Sequence, residues 1–209
     1  LIYKGMNMRD IITWGPEEIG FVSGGSGIVG MSNLSRDYLT YIIQNLAELD
    51  AMADIIIVDT GAGISDAVLE FLVASGEILL VTTPEPTSIT DAYTLLKALS
   101  RHNRFSSEST KIKVLSNRVE SLEEGRTLFS KLNAVVSRYL KLPIEYLGAV
   151  PQDAELSRSV MQQTPVSINS PKAISTKAYE EIAGILMNKE INQTVHKRGM
   201  AAFFSHIVA

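Results

Sequence analysis

Short apolar runs alternate along the chain with longer segments whose apolar residues recur at helical spacing. Five such runs, each followed by turn residues, lie at 19–22, 54–58, 78–81, 112–115 and 144–150. Runs of this kind are typical of parallel strands that are covered on both faces. Helical spacing is found between and after them, at 35–46, 65–74, 87–99, 122–140, 153–163 and 173–187. The pattern predicts an α/β fold with a mainly parallel sheet and helices on both faces.

Composition limits the classes of function that are open to such a fold. Of the 209 residues, 45% are hydrophobic and 20% are charged, and the formal net charge is -4. An acidic chain has no overall positive field to attract nucleic acid, so direct nucleic-acid binding is not expected. The chain contains no cysteine, which excludes disulfides and thiol chemistry.

Polar residues and glycines follow four of the predicted strands, in the segments 59–63, 84–86, 117–118 and 151–153. In open parallel sheets, ligands bind beyond the carboxyl ends of the strands. These four segments are therefore predicted to line one binding edge.

Asp59 directly follows the run 54–58 and precedes Gly61 and Gly63. A carboxylate fixed at a strand end suits a magnesium ion, which proteins often hold through water. The glycines leave backbone N–H groups accessible to a terminal phosphate and allow the loop to move. Asp and Gly are also ordinary turn residues, so a simple cap of the following turn or helix is the alternative.

Asn117 and Arg118 follow the predicted strand 112–115. An Asn amide can both donate to and accept from the edge of adenine, and an Arg plane can stack on a base. Turn residues on a solvated rim often have the same composition. Both interpretations stay open on the residues alone.

Four longer segments carry a family resemblance: DIIIVDTGAGIS, EILLVTTPEPTSITDAYTLLK, VLSNRV and YLGAVPQDAELSRSVMQQTPV. They resemble the MinD/ParA group of P-loop ATPases, and within it the FlhG (FleN) branch, which regulates flagellar number and placement. A septum-site (MinD) or partition (ParA) ATPase is the alternative within the group. The resemblance divides the chain into a partial ATPase domain, 1–188, and a tail, 189–209.

The resemblance implies ATP and Mg²⁺ as cofactors and assigns roles at the matching positions. Asp59 would face the magnesium ion in a switch loop that includes Gly61 and Gly63. The implied contacts of the base and ribose are Asn117, Arg118, Pro151 and Asp153. The family also implies an ATP-dependent homodimer, flagellar assembly partners such as the FlhF GTPase, and a cytoplasmic protein that is peripheral on the inner face of the cell membrane.

The phosphate-binding loop of this family, which resembles K-G-G-x-G-K-[ST], has no counterpart in a chain that contains no Gly-Lys pair. Its lysine and hydroxyl group supply much of the stabilisation of the transition state. We therefore expect an N-terminally truncated chain that lacks the first strand and the P-loop, contains no identifiable catalytic residue and hydrolyses ATP negligibly. The alternative from another class is a non-catalytic protein-interaction module.

A second motif is typical of a different class, the oxidoreductases that bind dinucleotides. Residues 25–30 match G-x-G-x-x-G, and Asp50 lies about 20 residues further on, as in a dinucleotide site. However, residues 31–34 separate these glycines from the next predicted helix. Asp50 also ends a predicted helix, whereas the acid of the dinucleotide motif ends a strand. A Gly-rich surface turn is therefore favoured over an oxidoreductase.

The end of the chain has a different character, with no Asp or Glu from residue 191 onward. Lys197 and Arg198 precede five apolar residues that fall on one stripe of a helix: Met200, Phe203, Phe204, Ile207 and Val208. A basic amphipathic helix of this kind can lie on an anionic membrane. A helix docked on the protein's own surface is the alternative, and the family resemblance favours the membrane.

Overall fold

A computed structural model describes residues 8–22, 49 and 52–191. These residues belong to two compact units, divided between Ser75 and Gly76. The glycine motif at 25–30, the helix predicted at 35–46 and the seven tail residues assigned to the membrane all lie outside the described residues. The domain boundary predicted at 188–189 stays a prediction.

The described part of the first unit contains a short hairpin and one helix. Strand β1 (Thr13–Trp14) pairs antiparallel with β2 (Gly20–Phe21), and short 3-10 turns lie at Met8–Ile11 and Pro16–Glu18. The run 19–22 therefore contributes a two-residue hairpin strand and not a strand of the parallel sheet, which corrects the prediction.

Helix α1 (Asp66–Ala74) confirms the helix predicted at 65–74. It begins after Ser65, whose side-chain oxygen accepts a hydrogen bond from the N–H of Val68 at 3.4 Å. This bond satisfies one of the backbone donors that every helix leaves unpaired in its first turn.

The prediction of a strand at 54–58 is wrong. Residues 55–60 have no regular secondary structure, and Ile57 is 79% exposed. A strand exists only with a hydrogen-bonded neighbour, and within the described ranges no strand pairs with this run. The β-branched residues of this run favour a strand, but the described structure does not form one there.

The second unit is built on a three-stranded parallel sheet, whose strands are β3 (Glu77–Thr82), β4 (Lys111–Val119) and β5 (Glu145–Pro151). Strand β4 lies in the middle and pairs with both neighbours. The buried ammonium group of Lys113 binds the carboxylate of Glu77 at 2.7 Å, which links β4 to β3 near their amino ends. All three strands were predicted from their apolar runs.

Five helices accompany this sheet: α2 (Pro86–Ser100), α3 (Leu122–Tyr139), α4 (Ala154–Met161), α5 (Val166–Asn169) and α6 (Ile174–Ile191). Helix α6 packs through Ile182 on Leu147, whereas α3 approaches the neighbouring residue Tyr146. Successive residues of a strand point to opposite faces. Helices therefore cover both faces of the sheet, as predicted, and only the four-residue helix α5 was not anticipated.

Gly125 allows α3 to lie unusually close to the sheet. A Cβ atom at this position would be 2.7 Å from the Cβ of Ala149 and 3.2 Å from the hydroxyl oxygen of Tyr146. The Ser116 hydroxyl donates a hydrogen bond to the carbonyl oxygen of Gly125 at 2.9 Å. The helix is thus held against β4 and β5 by a contact that has no room for a side chain.

We predict that Gly125→Ala lowers the free energy of unfolding by about 1–3 kcal/mol, the usual cost of an extra carbon in a closely packed site. The Cβ of Ala149 cannot rotate away, so the clash must move either the helix or the strand. Urea denaturation followed by circular dichroism measures the change.

Gly184→Ala is the matched control because Gly184 also lies inside a helix, and an added Cβ there would meet nothing within 4 Å. This substitution should raise stability by roughly 0.5–1 kcal/mol through helix propensity alone. If both substitutions stabilise the protein, the close approach at Gly125 is not a packing constraint.

Candidate functional site

The carboxyl ends of β3, β4 and β5 meet at one edge of the sheet because the three strands are parallel. The segments that follow or end these strands, 83–85, 117–118 and 151–153, therefore lie at that edge. This arrangement confirms the predicted common edge for Asn117, Arg118, Pro151 and Asp153.

Arg118 occupies a bulge in β4, where the register with β5 shifts between Asn117 and Val119. Its φ of 56° is in the left-handed region, which is rare for a residue with a side chain. Bulges re-aim side chains and are common beside functional sites. Here the bulge leaves the Arg118 side chain 60% exposed at the carboxyl edge.

The Arg118 guanidinium reaches the segments on both sides of β4. Its Nε donates to Oε1 of Gln152 at 3.3 Å, and its Nη1 lies 4.0 Å from Oε1 of Glu85. One cationic side chain therefore connects the ends of all three strands.

Asn117 is oriented by the backbone of its neighbour. Its Oδ1 accepts a hydrogen bond from the N–H of Arg118 at 3.0 Å. Because a backbone N–H can only donate, this bond assigns the oxygen and leaves the Asn117 Nδ2 group as an available donor. By the same argument the Nε2 group of Gln152 is a donor, since its Oε1 accepts from Arg118.

The carboxylate of Asp153 is engaged within the fold. Its Oδ1 accepts from the N–H of Glu155 at 2.9 Å and caps α4. Its Oδ2 accepts from the N–H and the hydroxyl of Ser175 at 3.0 and 2.7 Å. These bonds, those from Ser175 first, hold the pKa of Asp153 below its ordinary value. Asp153 thus ties the first turns of α4 and α6 to the end of β5, and its contact with ribose stays a prediction.

Pro151 ends β5 and faces Val119 across the ladder. The next residue, Gln152, donates its N–H to the carbonyl oxygen of Val119 at 2.8 Å. The segment after β5 is therefore fixed to β4 at the level of the bulge.

Sequence reasoning placed Glu85 and Gln152 at this edge but gave neither side chain a role. The hydroxyl of Thr83 bonds to the Glu85 carboxylate, and this bond, with smaller effects from the backbone and Arg118, lowers the pKa of Glu85. The signal was available, because both residues lie within the strand-end segments 84–86 and 151–153.

Asp59, Gly61 and Gly63 belong to the first unit, where all three are exposed. Gly63 has a φ of 106°, a conformation that favours glycine. Ser65, and not Asp59, caps α1, so the alternative that Asp59 caps the following helix is not supported.

The described residues contain no group of three or more His, Cys, Asp or Glu side chains that could hold a metal ion. Mg²⁺ is commonly held by one or two carboxylates together with phosphate oxygens and water. The exposed carboxylate of Asp59 fits the part of one such ligand.

Sequence comparison finds similarity to flagellar regulators and to MinD homologues. The chain is 37% identical to the antiactivator FleN of Pseudomonas aeruginosa, over 84% of this chain and 61% of FleN. It is 32% identical to the flagellum site-determining protein YlxH of Helicobacter pylori, over 74% of this chain and 52% of YlxH. A chloroplast MinD homologue of Arabidopsis thaliana is 30% identical, over 72% of this chain and 46% of the homologue. The chain belongs to the MinD/ParA family.

Solved structures agree with this fold. The MinD protein of Pyrococcus horikoshii, determined with Mg-ADP, matches with a TM-score of 0.64 and 17% identity, covering 91% of this chain and 73% of that chain. A ParA family ATPase from Chlorobium tepidum matches with a TM-score of 0.62 and 20% identity, covering 86% and 67%. The predicted P-loop NTPase fold of the MinD/ParA type is thus confirmed.

The chain spans about half to three-fifths of the length of FleN and YlxH. No family model matches it. Within the described ranges, no helix is both long and apolar enough to cross a membrane.

We predict that Asp153→Ala destabilises the protein by about 1–2 kcal/mol at neutral pH, because it removes a helix cap and the bonds to Ser175. The folded-state pKa of Asp153 is lowered, so its contribution is fully present above the unfolded pKa of about 3.9. That contribution is lost as the pH falls through the folded pKa. The difference between the two proteins should therefore shrink below about pH 4, as measured by urea denaturation.

Ser121→Ala is the non-titrating control. The Ser121 oxygen caps α3 by accepting from the N–H of Glu124 at 3.1 Å, so its removal should cost about 1 kcal/mol with no such pH dependence. An Asp153→Ala deficit that is equally large at pH 7 and pH 3 would contradict the role given to the carboxylate.

Proposed function

We propose that this chain is part of an ATP-dependent switch of the FlhG type, which regulates the number or placement of flagella. The observation that carries the proposal is the 37% identity to the antiactivator FleN over 84% of the chain. The similarity to a flagellum site-determining protein supports the same biological role.

The edge of the sheet in the second unit would bind the adenine base. The Nδ2 group of Asn117 is available to donate to a ring nitrogen, and the exposed guanidinium of Arg118 offers a plane on which a base can stack. Pro151 would bound the same site with an apolar ring. Asp153 would act mainly by holding the segment after β5 in position, because its carboxylate is engaged with Ser175.

The exposed loop with Asp59, Gly61 and Gly63 would serve the phosphates. Asp59 would hold Mg²⁺ through water, and the backbone around Gly63 would respond to the presence of the terminal phosphate. Loss of that phosphate would change the loop and dissolve an ATP-dependent homodimer. Flagellar assembly proteins such as the FlhF GTPase are the proposed partners of the ATP-bound form.

Two alternatives remain testable. A septum-site or partition ATPase is supported by the MinD homologue, and it would bind the same nucleotide but other partners. A non-catalytic interaction module would bind no nucleotide at all, which agrees with the lack of a Gly-Lys pair in the chain. The same lack leads us to propose that the 209 residues alone hydrolyse ATP negligibly.

We expect the full native protein to bind ADP and ATP in the presence of Mg²⁺, and we expect Asn117→Ala to weaken both affinities by about 5–30-fold. The variant loses one hydrogen bond to the base, worth roughly 1–2 kcal/mol. Isothermal calorimetry measures the affinities. Light scattering of the same samples with a non-hydrolysable ATP analogue should show a doubled mass.

Asn133→Ala is the matched control, since Asn133 lies on α3 and its side chain forms a hydrogen bond only with the Ser137 hydroxyl among the described residues. It should bind nucleotide like the unaltered protein. Equal affinities in all three proteins would show that this edge of the sheet is not part of the nucleotide site. No binding by the unaltered protein would favour the interaction module.

The basic tail is proposed as a reversible membrane anchor of a protein that otherwise resides in the cytoplasm. Its stripe of Met200, Phe203, Phe204, Ile207 and Val208 follows Lys197 and Arg198. One short helix binds an anionic surface weakly, and a dimer with two tails would bind more tightly through avidity.

We predict that the double substitution Phe203→Glu and Phe204→Glu abolishes sedimentation with liposomes that contain anionic lipid. The control adds the same two charges by Ala202→Glu and Ser205→Glu, which helical spacing puts opposite the apolar stripe. The control should retain most of the binding, reduced only by charge repulsion. Equal loss in both variants would mean that charge, and not apolar insertion, governs the binding.

A further inference from the structure

Gln152 supplies the hydrogen bond that directs the side chain of Arg118. Among the described residues, the guanidinium of Arg118 forms one hydrogen bond, in which its Nε donates to Oε1 of Gln152 at 3.3 Å. The carboxylate oxygen of Glu85 lies 4.0 Å from Nη1, which is beyond hydrogen-bond distance. Glu85 is also engaged with the hydroxyl of Thr83. Gln152 is therefore the neighbour that sets the direction of the guanidinium.

The bond between Arg118 and Gln152 lies close to the plane of the guanidinium, because all five N–H groups of an arginine lie in that plane. A bond in the plane limits rotation of the side chain, and it does not place the amide over either face. Stacking on a base uses a face of the guanidinium. Support from Gln152 is therefore compatible with stacking on the same side chain.

The amide of Gln152 is neutral, so it orients Arg118 without compensating the positive charge. A carboxylate in a bidentate pair would hold a guanidinium more strongly. Such a pair would also reduce the positive charge, which attracts the guanidinium to the face of an aromatic ring. A neutral acceptor at Nε leaves that attraction available to a base.

Both partners of this hydrogen bond have a fixed backbone. Arg118 lies in the bulge of β4 with a φ of 56°. The N–H of Gln152 donates to the carbonyl oxygen of Val119 at 2.8 Å, and the next residue, Asp153, accepts from the N–H and hydroxyl of Ser175 at 3.0 and 2.7 Å. The bond from Nε to Oε1 therefore joins side chains that start from two fixed points. An arginine held in this way loses less side-chain freedom when a ligand binds.

We propose that Gln152 is a positioning residue that orients the guanidinium of Arg118 for stacking on the nucleotide base. This inference rests on the proposed nucleotide-binding function and adds to it a residue that acts through Arg118. The positioning role uses the Oε1 atom of Gln152. A direct contact with the ligand would use its Nε2 donor instead, and substitutions can separate the two.

Two substitutions of Gln152 test the proposal in the full native protein, with ADP as the probe, Mg²⁺ present and affinity measured by calorimetry. Gln152→Met keeps a side chain of similar length without the acceptor, and it should weaken ADP binding by about 5–10-fold. Gln152→Glu keeps an acceptor oxygen and loses the NH₂ group. It should retain the affinity for ADP to within about twofold, because an exposed pair with arginine adds little.

The Arg118→Ala background tests whether Gln152 acts through Arg118. In that background, Gln152→Met should change the affinity for ADP by less than about twofold, because the partner of Oε1 is already absent. Gln162→Met is the matched control. Gln162 is exposed at the C-cap of α4, and its Oε1 likewise accepts a hydrogen bond, from Nδ2 of Asn169 at 2.9 Å. This variant should bind ADP like the unaltered protein, and thermal unfolding midpoints verify that each variant is folded.

The outcomes separate the inference from the function on which it rests. An equal loss of affinity in Gln152→Glu and Gln152→Met would indicate a direct contact through Nε2 and would overturn the positioning role. The same conclusion would follow if Gln152→Met kept its full effect in the Arg118→Ala background. If Gln152→Met binds ADP normally, the inference is overturned while nucleotide binding stands. If the unaltered protein binds no nucleotide, the proposed function is overturned and the inference with it.

Discussion

The pairing of β4 with a parallel strand on each side brings the residues of the candidate site together at one edge. Because β4 is bonded to both β3 and β5, the carboxyl ends of the three strands meet at one edge. The contact of α3 with this sheet depends on Gly125, because an added Cβ atom there would lie only 2.7 Å from the Cβ of Ala149. Without that close approach, α3 would have to lift away from the two strands that carry the candidate site.

The polar edge combines residues that maintain the fold with residues that are available to a ligand. The carboxylate of Asp153 accepts hydrogen bonds from the first turns of two helices. It therefore fixes the segment that contains Gln152. The Arg118 N–H donates to the Asn117 Oδ1 at 3.0 Å, and the Nδ2 group of Asn117 has no hydrogen-bond partner among the described residues. An edge built in this way is preorganised, because the supporting bonds do not have to break when a ligand binds.

Much of this arrangement follows from sequence alone. The apolar runs at 78–81, 112–115 and 144–150 predicted the three sheet strands, and helical spacing predicted the helices that flank them. The run 54–58 has the same composition, but composition does not supply a partner strand, and Ile57 is exposed in the structure. Asp153 and Arg118 were predicted at the edge, whereas the role of Ser175 could not be, since it depends on a contact across 22 residues of sequence. Gln152 and Glu85 were placed at the edge as well, but their contacts with Arg118 could not be predicted, because they depend on how the ends of three strands come together.

The pair formed by Glu85 and Arg118 contributes little to stability. Both side chains are more than half exposed and their charged atoms are 4.0 Å apart, and pairs of this kind contribute about 0–1 kcal/mol to folding. Yet Arg118 is held in a left-handed bulge, a conformation that usually costs of order 1–3 kcal/mol in a residue with a side chain. The weak ion pair does not offset that cost. In the proposed function, the strained backbone serves to position the guanidinium at the edge where the base would bind.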